Sequence, residues 1–199
     1  AALVLPDGAL FGDGITARIK EWLLANCDLH TIVRLPNGVF NPYTNIKTNL
    51  LFFTKGHPTE TIWFYEHPYP PGYKSYSKTK PIRIEEFKPL QDWWGSEANG
   101  FADREENERA WKVDFRTKRE QAESAAQPHR TRAEQLNNQA SAVEGQMRAL
   151  RESIKGVTDP QQRKAAEDEI EMLRPQAEGL RLQARDAQAA GDRIYWPIY

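Results

Sequence analysis

The sequence has little of several things. It holds one cysteine, Cys27, in 199 residues, so no internal disulfide is possible, and a reduced cytoplasmic setting is the expectation. The four histidines, His30, His57, His67 and His129, show no metal-ligand spacing, which leaves no zinc site to expect. The net charge is -1; a chain that binds nucleic acid by charge alone carries a basic footprint, and none appears in the total. No apolar run is long enough to span a bilayer. The opening AALVLP is too short and uncharged for a secretory signal, and without an initiator Met it reads like the middle of a longer chain. No acidic cluster or activated nucleophile argues for a hydrolase. Glu85-Glu86 and Glu105-Glu106 read as solvated faces, Cys27 as a structural thiol, and Gly12-Asp13-Gly14 as a turn lacking the third glycine of a phosphate loop.

Aromatic residues are also missing, but from one part only. All eight Phe lie at or before Phe115, and no Phe, Tyr or Trp occurs from Arg116 to Ile194. The two compositions meet near residue 116. Residues 1–115 carry a net charge of -2 and residues 116–199 of +1, so neither part needs a polyanion. We read three segments: 1–116 as an α/β piece, 117–192 as a helical hairpin, and 193–199 as a return.

In the first piece, the spacing predicts a buried strand at Ala2-Leu3-Val4-Leu5 closed by a Pro6-Asp7-Gly8 turn. It predicts a helix from Ile15 to Asn26 with Ile15, Ile19, Trp22 and Leu23 on one face, and strands at His30–Leu35, Asn49–Thr54 and Thr61–Tyr65. Leu50-Leu51-Phe52-Phe53 suits a strand buried on both faces. A helix over Ile84–Trp94 and a strand at Ala110–Phe115 complete a mixed, mostly parallel α/β sheet with flanking helices.

The second piece has a countable period. Ala122, Ala126, His129, Ala133, Leu136, Ala140, Val143, Met147, Leu150 and Ile154 alternate steps of four and three, a heptad seam. Lys155-Gly156 ends it, Thr158-Asp159-Pro160 offers a cap and a proline start, and Ala166, Ile170, Leu173, Ala177, Leu180, Ala184 and Ala187 repeat the pattern. A short break between two such helices predicts a long antiparallel coiled-coil hairpin. Pro128 starts or kinks the first arm, and Pro175 should bend the second.

The segment from Arg34 to Gly56 runs a strand into a polar, aromatic loop and back on an apolar strand. α/β folds place ligands at strand ends. Phe40 and Tyr43 could stack an extruded base there, with Asn41, Asn45 or Asn49 on its edge; the alternative is an ordinary hairpin whose aromatics pack on the sheet.

The same stretches carry a resemblance. LPDGALF at 5–11, LHTIVRLPNGVF at 29–40, KTNLLFFTKG at 47–56, WFYEHPYPPGYKSYSKTKPIR at 63–83, EEFKPLQDWW at 85–94 and ENERAWKV at 106–113 resemble, in order, the later motifs of the modification subunit of type I restriction-modification systems. IYWPIY at 194–199 resembles a return to that pattern. The resemblance implies the late part of a Rossmann-like methyltransferase sheet in a C-terminal fragment. It implies transfer of a methyl group from S-adenosylmethionine to N6 of adenine in DNA, alongside a specificity subunit and a restriction subunit. The family's Gly-rich cofactor motif and its Asn-Pro-Pro-aromatic motif are absent here, so no catalytic or cofactor residue is assigned and the fragment alone is expected to be inactive. Asn41-Pro42-Tyr43 lacks the second proline. Carried over by position, Phe40, Tyr43, Asn45, Lys47, Thr48 and Asn49 fall on the adenine-pocket side. The hairpin has no place in the family pattern and reads as an insertion. The rival reading makes the chain a non-catalytic assembly module that docks on the specificity subunit through that hairpin.

Overall fold

A computed structural model describes residues 1–199, which divide into two compact units, Ala1–Lys118 with Tyr199, and Arg119–Ile198. The first unit is a five-stranded sheet. Its strands are β1 (Ala2–Pro6), β2 (Cys27–Arg34), β3 (Thr48–Lys55), β4 (Thr61–Glu66) and β5 (Ala110–Asp114), arranged β1-β3-β2-β4-β5. Helices α1 (Asp7–Phe11) and α2 (Ile15–Asn26) lie between β1 and β2, and α3 (Lys88–Trp93) lies between β4 and β5.

Several expectations are corrected. The sheet is mixed but mostly antiparallel: only β2 and β4 pair in parallel, and β1/β3, β2/β3 and β4/β5 are antiparallel. The cause is local, since β2 returns directly through the 35–47 loop, with no crossover helix, to form β3. β1 is an exposed edge strand rather than a buried one, and Pro6 leads into α1 rather than a turn. Of Leu50 to Phe53 only Leu51 is buried; the strand buried along most of its length is β2, flanked on both sides. α2 forms as predicted but turns Ala17 and Leu24 inward, leaving Ile15, Ile19 and Trp22 exposed. The predicted helix at 84–94 is a 3₁₀ turn, Ile84–Phe87, followed by α3.

The core of the unit gathers Val33, Leu35, Tyr65, Leu90 and Ala110, with Trp93 and Trp94 packed against them. Beside it sits a buried cation. The Arg104 guanidinium lies 4.7 Å from the Trp93 ring, 5.0 Å from Trp94 and 3.7 Å from Phe101, a cation–π arrangement that replaces a carboxylate partner. It donates to Thr31 Oγ1 (2.8 Å) and to the Trp94 carbonyl (2.7 Å). His30 stacks on Phe101 at 4.6 Å. Burial first, and then the Arg104 charge, lower its pKa to about 4. His67, stacked on Phe87 at 4.6 Å, is lowered mainly by burial as well.

Both imidazoles are therefore held neutral, and the sign of the pH effect follows. Their contribution is complete above the unfolded value of 6.5 and is lost as pH falls below it, for His30 as pH falls toward about 4, because the unfolded chain binds the extra protons there. Denaturant unfolding at pH 7.5 and pH 4.5 should show the fall. His30→Phe, which keeps the ring stack, should flatten the dependence.

The second unit is built on α4 (Phe115–Ser153), which begins in the first unit, and α5 (Pro160–Tyr195). Asp159 caps α5 by accepting from the Gln161 amide at 2.9 Å, with Pro160 at the first helical position. Both Pro128 and Pro175 lie inside continuous helices, so Pro128 does not start the first arm. Most of the buried residues of α4 and α5 fall on heptad positions. Ala126 and Ala140 are fully covered, and Val143, Met147, Ile170 and Ala177 form a cluster with Leu150, Leu173 and Leu180 around it. Contacts run in opposite chain directions. A Cβ at Gly191 would lie 3.3 Å from that of His129, while Arg181 donates to Glu144 (3.1 and 2.9 Å), Asn137 (2.8 Å) and Ser141 (3.2 Å). No helix is long and apolar enough to cross a membrane.

Candidate functional site

β2 and β4 are parallel neighbours, so their C-terminal ends, Arg34 and Glu66, lie side by side. That is where an α/β sheet offers a ligand its crevice. The chain leaves β2 through the 35–47 loop and leaves β4 through a tyrosine-rich segment, and the two are tied together. Tyr69 donates its hydroxyl to the Asn37 carbonyl at 2.8 Å, and Asn41 Nδ2 donates to the Tyr76 carbonyl at 3.0 Å. Tyr76 is fully buried and donates to Glu86 at 2.5 Å. Burial and that carboxylate push the Tyr76 hydroxyl well up.

Gly38 makes this geometry possible. It has φ +77°, and a Cβ there would sit 2.6 Å from Asn41 Nδ2. Gly38→Ala should therefore cost about 1–2 kcal/mol in denaturant unfolding. Gly8→Ala, which meets nothing within 4 Å, should not destabilise.

A cavity of about 310 Å³ opens at the strand ends, lined by Arg34, Lys47, Glu66, Tyr69 and Arg109 among others. Three cations thus face one carboxylate. Asp7 anchors the floor: it accepts from Arg34 Nη2 at 2.9 Å and from Asn49 Nδ2 at 2.7 Å, and its amide bonds the Lys47 carbonyl at 2.9 Å. Arg34 Nε is buried without a partner.

The six candidates from the sequence divide accordingly. Lys47 is half-buried and lines the cavity. Thr48 and Asn49 are buried beneath it; Thr48 Oγ1 donates to the Ile46 carbonyl at 3.3 Å, and Asn49 is engaged with Asp7. Phe40, Tyr43 and Asn45 are exposed on the loop, Tyr43 at 91%. The structure thus brings Lys47 to a cavity and two aromatic rings to the surface of the loop beside it. Sequence reading missed Asp7, Arg34, Arg109 and the tyrosine segment. A charged residue at the last position of a buried strand, as Arg34 is, was the available signal.

Residues 1–137 match the family model described as N-6 DNA Methylase, and the chain belongs to that family. It is 69% identical over 113 residues to the Type I restriction enzyme EcoEI methylase subunit of Escherichia coli, an alignment covering 57% of this chain and 23% of that protein. It is 36% identical over 117 residues to the Type I restriction enzyme EcoKI methylase subunit of Escherichia coli strain K12, covering 54% and 22%. Among solved structures, it is similar to a modification subunit of a putative type I restriction enzyme from Vibrio vulnificus YJ016, with 51% identity and a TM-score of 0.53 over 59% of this chain and 23% of that one. It is also similar to a chain from a structure on complex assembly and conformational transition of the type I R-M system, with 40% identity and a TM-score of 0.54 over 58% and 25%. The chain therefore spans about a quarter of the length of the relatives it matches. The resemblance to type I modification subunits read from the motifs holds.

Proposed function

We propose that these residues form the late part of a Rossmann-like sheet in an adenine-specific DNA methyltransferase subunit, and that the 35–47 loop is one wall of the pocket for the target adenine. The observation that carries this is the juxtaposition at the strand ends: exposed Phe40 and Tyr43 on the same loop that delivers Lys47 to a cavity shared with Arg34 and Arg109. A DNA methyltransferase must take the base out of the stack, hold it by its face and hydrogen-bond its edge. Phe40 and Tyr43 would supply the face and Asn45 the edge contact. Arg34, Lys47 and Arg109 would hold the backbone phosphate beside it, and Thr48 and Asn49 would fix the strand beneath.

S-adenosylmethionine would supply the methyl group. The residues here do not fit its cradle: the direct strand-to-helix passages, at Pro6/Asp7 and Asp114/Phe115, carry between them only the single Gly8 and no glycine-rich run. Acceptors that relieve charge on the adenine amino group are likewise assigned to sequence outside these residues. The 199-residue chain alone should then transfer no methyl group, while a full-length subunit containing it, combined with a specificity subunit, should form N6-methyladenine in hemimethylated target DNA. Failure of that complete assembly to modify the DNA would refute the enzymatic reading.

Within the same proposal, 117–192 is a coiled-coil hairpin inserted in the family pattern, with 193–199 returning; the family match runs on to residue 137, into the first arm. Tyr199 groups with the first unit and meets the Phe115 ring at 5.7 Å. A cytoplasmic location, with specificity and restriction subunits as partners, follows from the same reading. The second reading, an assembly module, draws on the exposed Met172 and Leu182 of α5. Deleting residues 120–190 should weaken assembly with the specificity subunit if it is right; unchanged assembly would remove it.

A further inference from the structure

A second and larger cavity, about 940 Å³, lies elsewhere on the first unit and shares no residue with the strand-end site. Its charge is lopsided. Asp28, Glu60, Glu97, Glu106 and Asp114 line it against two fixed cations, Lys112 and Arg104. Glu60 has a loose exposed partner in Arg116 at 3.6 Å, and Glu97 only the Thr54 hydroxyl at 3.0 Å. Glu106 and Asp114 accept only from the Lys112 amide and from Thr117. The Asp28 carboxyl is raised by burial and by the neighbouring Glu60 and Glu97 charges, which outweigh the opposing effect of His57.

Acids alone would mean little, but the same lining includes a buried donor. Arg104 is 6% exposed, and its Nη2 is buried with no acceptor. A guanidinium left one hydrogen bond short in a protein interior is costly. The residue that covers it, Phe101, has φ +61°, a left-handed conformation that a bulky side chain adopts under strain and that is enriched at ligand-binding sites. Phe101 and Trp63 line the same cavity, with the Phe101 ring packed between His30 and Arg104 and the Trp63 ring under Lys112.

We propose that this cleft receives a lysine- or arginine-bearing peptide segment of a partner chain, whose main-chain carbonyl completes Arg104 Nη2 while its cationic side chain lies among the carboxylates. The need for an acceptor favours a peptide over a polyamine, which has none, and the acidic rim repels nucleic acid. Movement of the Phe101 ring would admit the carbonyl.

The test uses the 199-residue chain and the peptide acetyl-Gly-Arg-Gly-Lys-Gly-amide as probe, followed by titration calorimetry and tryptophan fluorescence at low salt. We expect saturable one-to-one binding, weakened about tenfold by Asp28→Asn with Glu97→Gln. Spermidine should bind more weakly than the peptide, and a Glu-for-Arg/Lys version of the peptide should not bind. Near-UV circular dichroism checks that the variant folds, and Glu106→Gln alone provides a milder variant, expected to weaken binding less. Absence of saturable binding, or equal affinity in the carboxylate variants, would overturn the proposal. Spermidine binding as tightly as the peptide would overturn the role given to Arg104.

Discussion

Alanine at both Lys47 and Arg109 is expected to weaken DNA binding by a full-length subunit about 10–100-fold near 0.1 M salt, and to lower the slope of log affinity against log salt by about 2. Both side chains line the strand-end cavity with Arg34. Each phosphate contact releases condensed counterions, so its removal shows as a change in salt dependence rather than in sequence preference. Arg109 is exposed and Lys47 half-buried, so the fold should tolerate the change. Arg34 is left alone because Asp7 ties it to the floor, at 2.9 Å. Binding isotherms at several salt concentrations measure both quantities. A reduced affinity with an unaltered slope would mean that these cations position the loop and touch no phosphate.

The second large effect is on stability. Leu51→Ala should cost about 2–5 kcal/mol. Leu51 is 2% exposed in β3, held between Leu3 of β1 and Ile32 of β2 in register. The cost combines transfer of the removed methyl groups with the cavity left between strands that cannot close up. In a unit of this size each kcal/mol lowers the melting temperature by roughly 4–8 °C. Leu3→Ala, at 44% exposure on the edge strand, should cost well under half as much. Five of the six tryptophans lie in Ala1–Lys118, so near-UV circular dichroism follows this unit's melting.

The parts of the fold that were legible in the sequence were those carried by period. The helical repeat of α2, the apolar runs of β2, β3 and β4, and the heptad steps from Ala122 to Ala187 all mark elements that form. Asp159-Pro160 caps the helix that it announces. Partnering between elements was not legible. Parallel and antiparallel neighbours demand the same residues, so the mostly antiparallel order had no local signature. Apolar content showed that Ala2 to Leu5 was a strand but not that it would be an edge; the same holds for the outward face of Ile15, Ile19 and Trp22. The candidate site was half legible. A loop rich in Asn and aromatic residues at a strand end was visible, but its cations were not. Arg34, Lys47 and Arg109 are scattered through the sequence and meet only because β2 and β4 end together and the chain before β5 passes beside them. Asp7, read as part of a turn, is the residue that anchors this floor. The Arg104 cleft was invisible for a related reason: its acids come from β2, β5 and the β3–β4 and α3–β5 connections, and no two of them form a motif.

The 35–47 loop, as the wall that holds the extruded adenine, can be tested directly by one measurement. A duplex bearing 2-aminopurine at the target adenine is bound by the full-length subunit with its specificity subunit, and the fluorescence rise on unstacking is recorded for the native protein and for Phe40→Ala with Tyr43→Ala. A clear rise is expected with the native protein. In the double variant, the flipped state should be destabilised by about 1–3 kcal/mol for each aromatic ring removed from the stack. The rise should then be largely abolished while overall DNA affinity stays closer to native. A rise of equal size with both proteins would contradict this role and return the loop to an ordinary connection between β2 and β3.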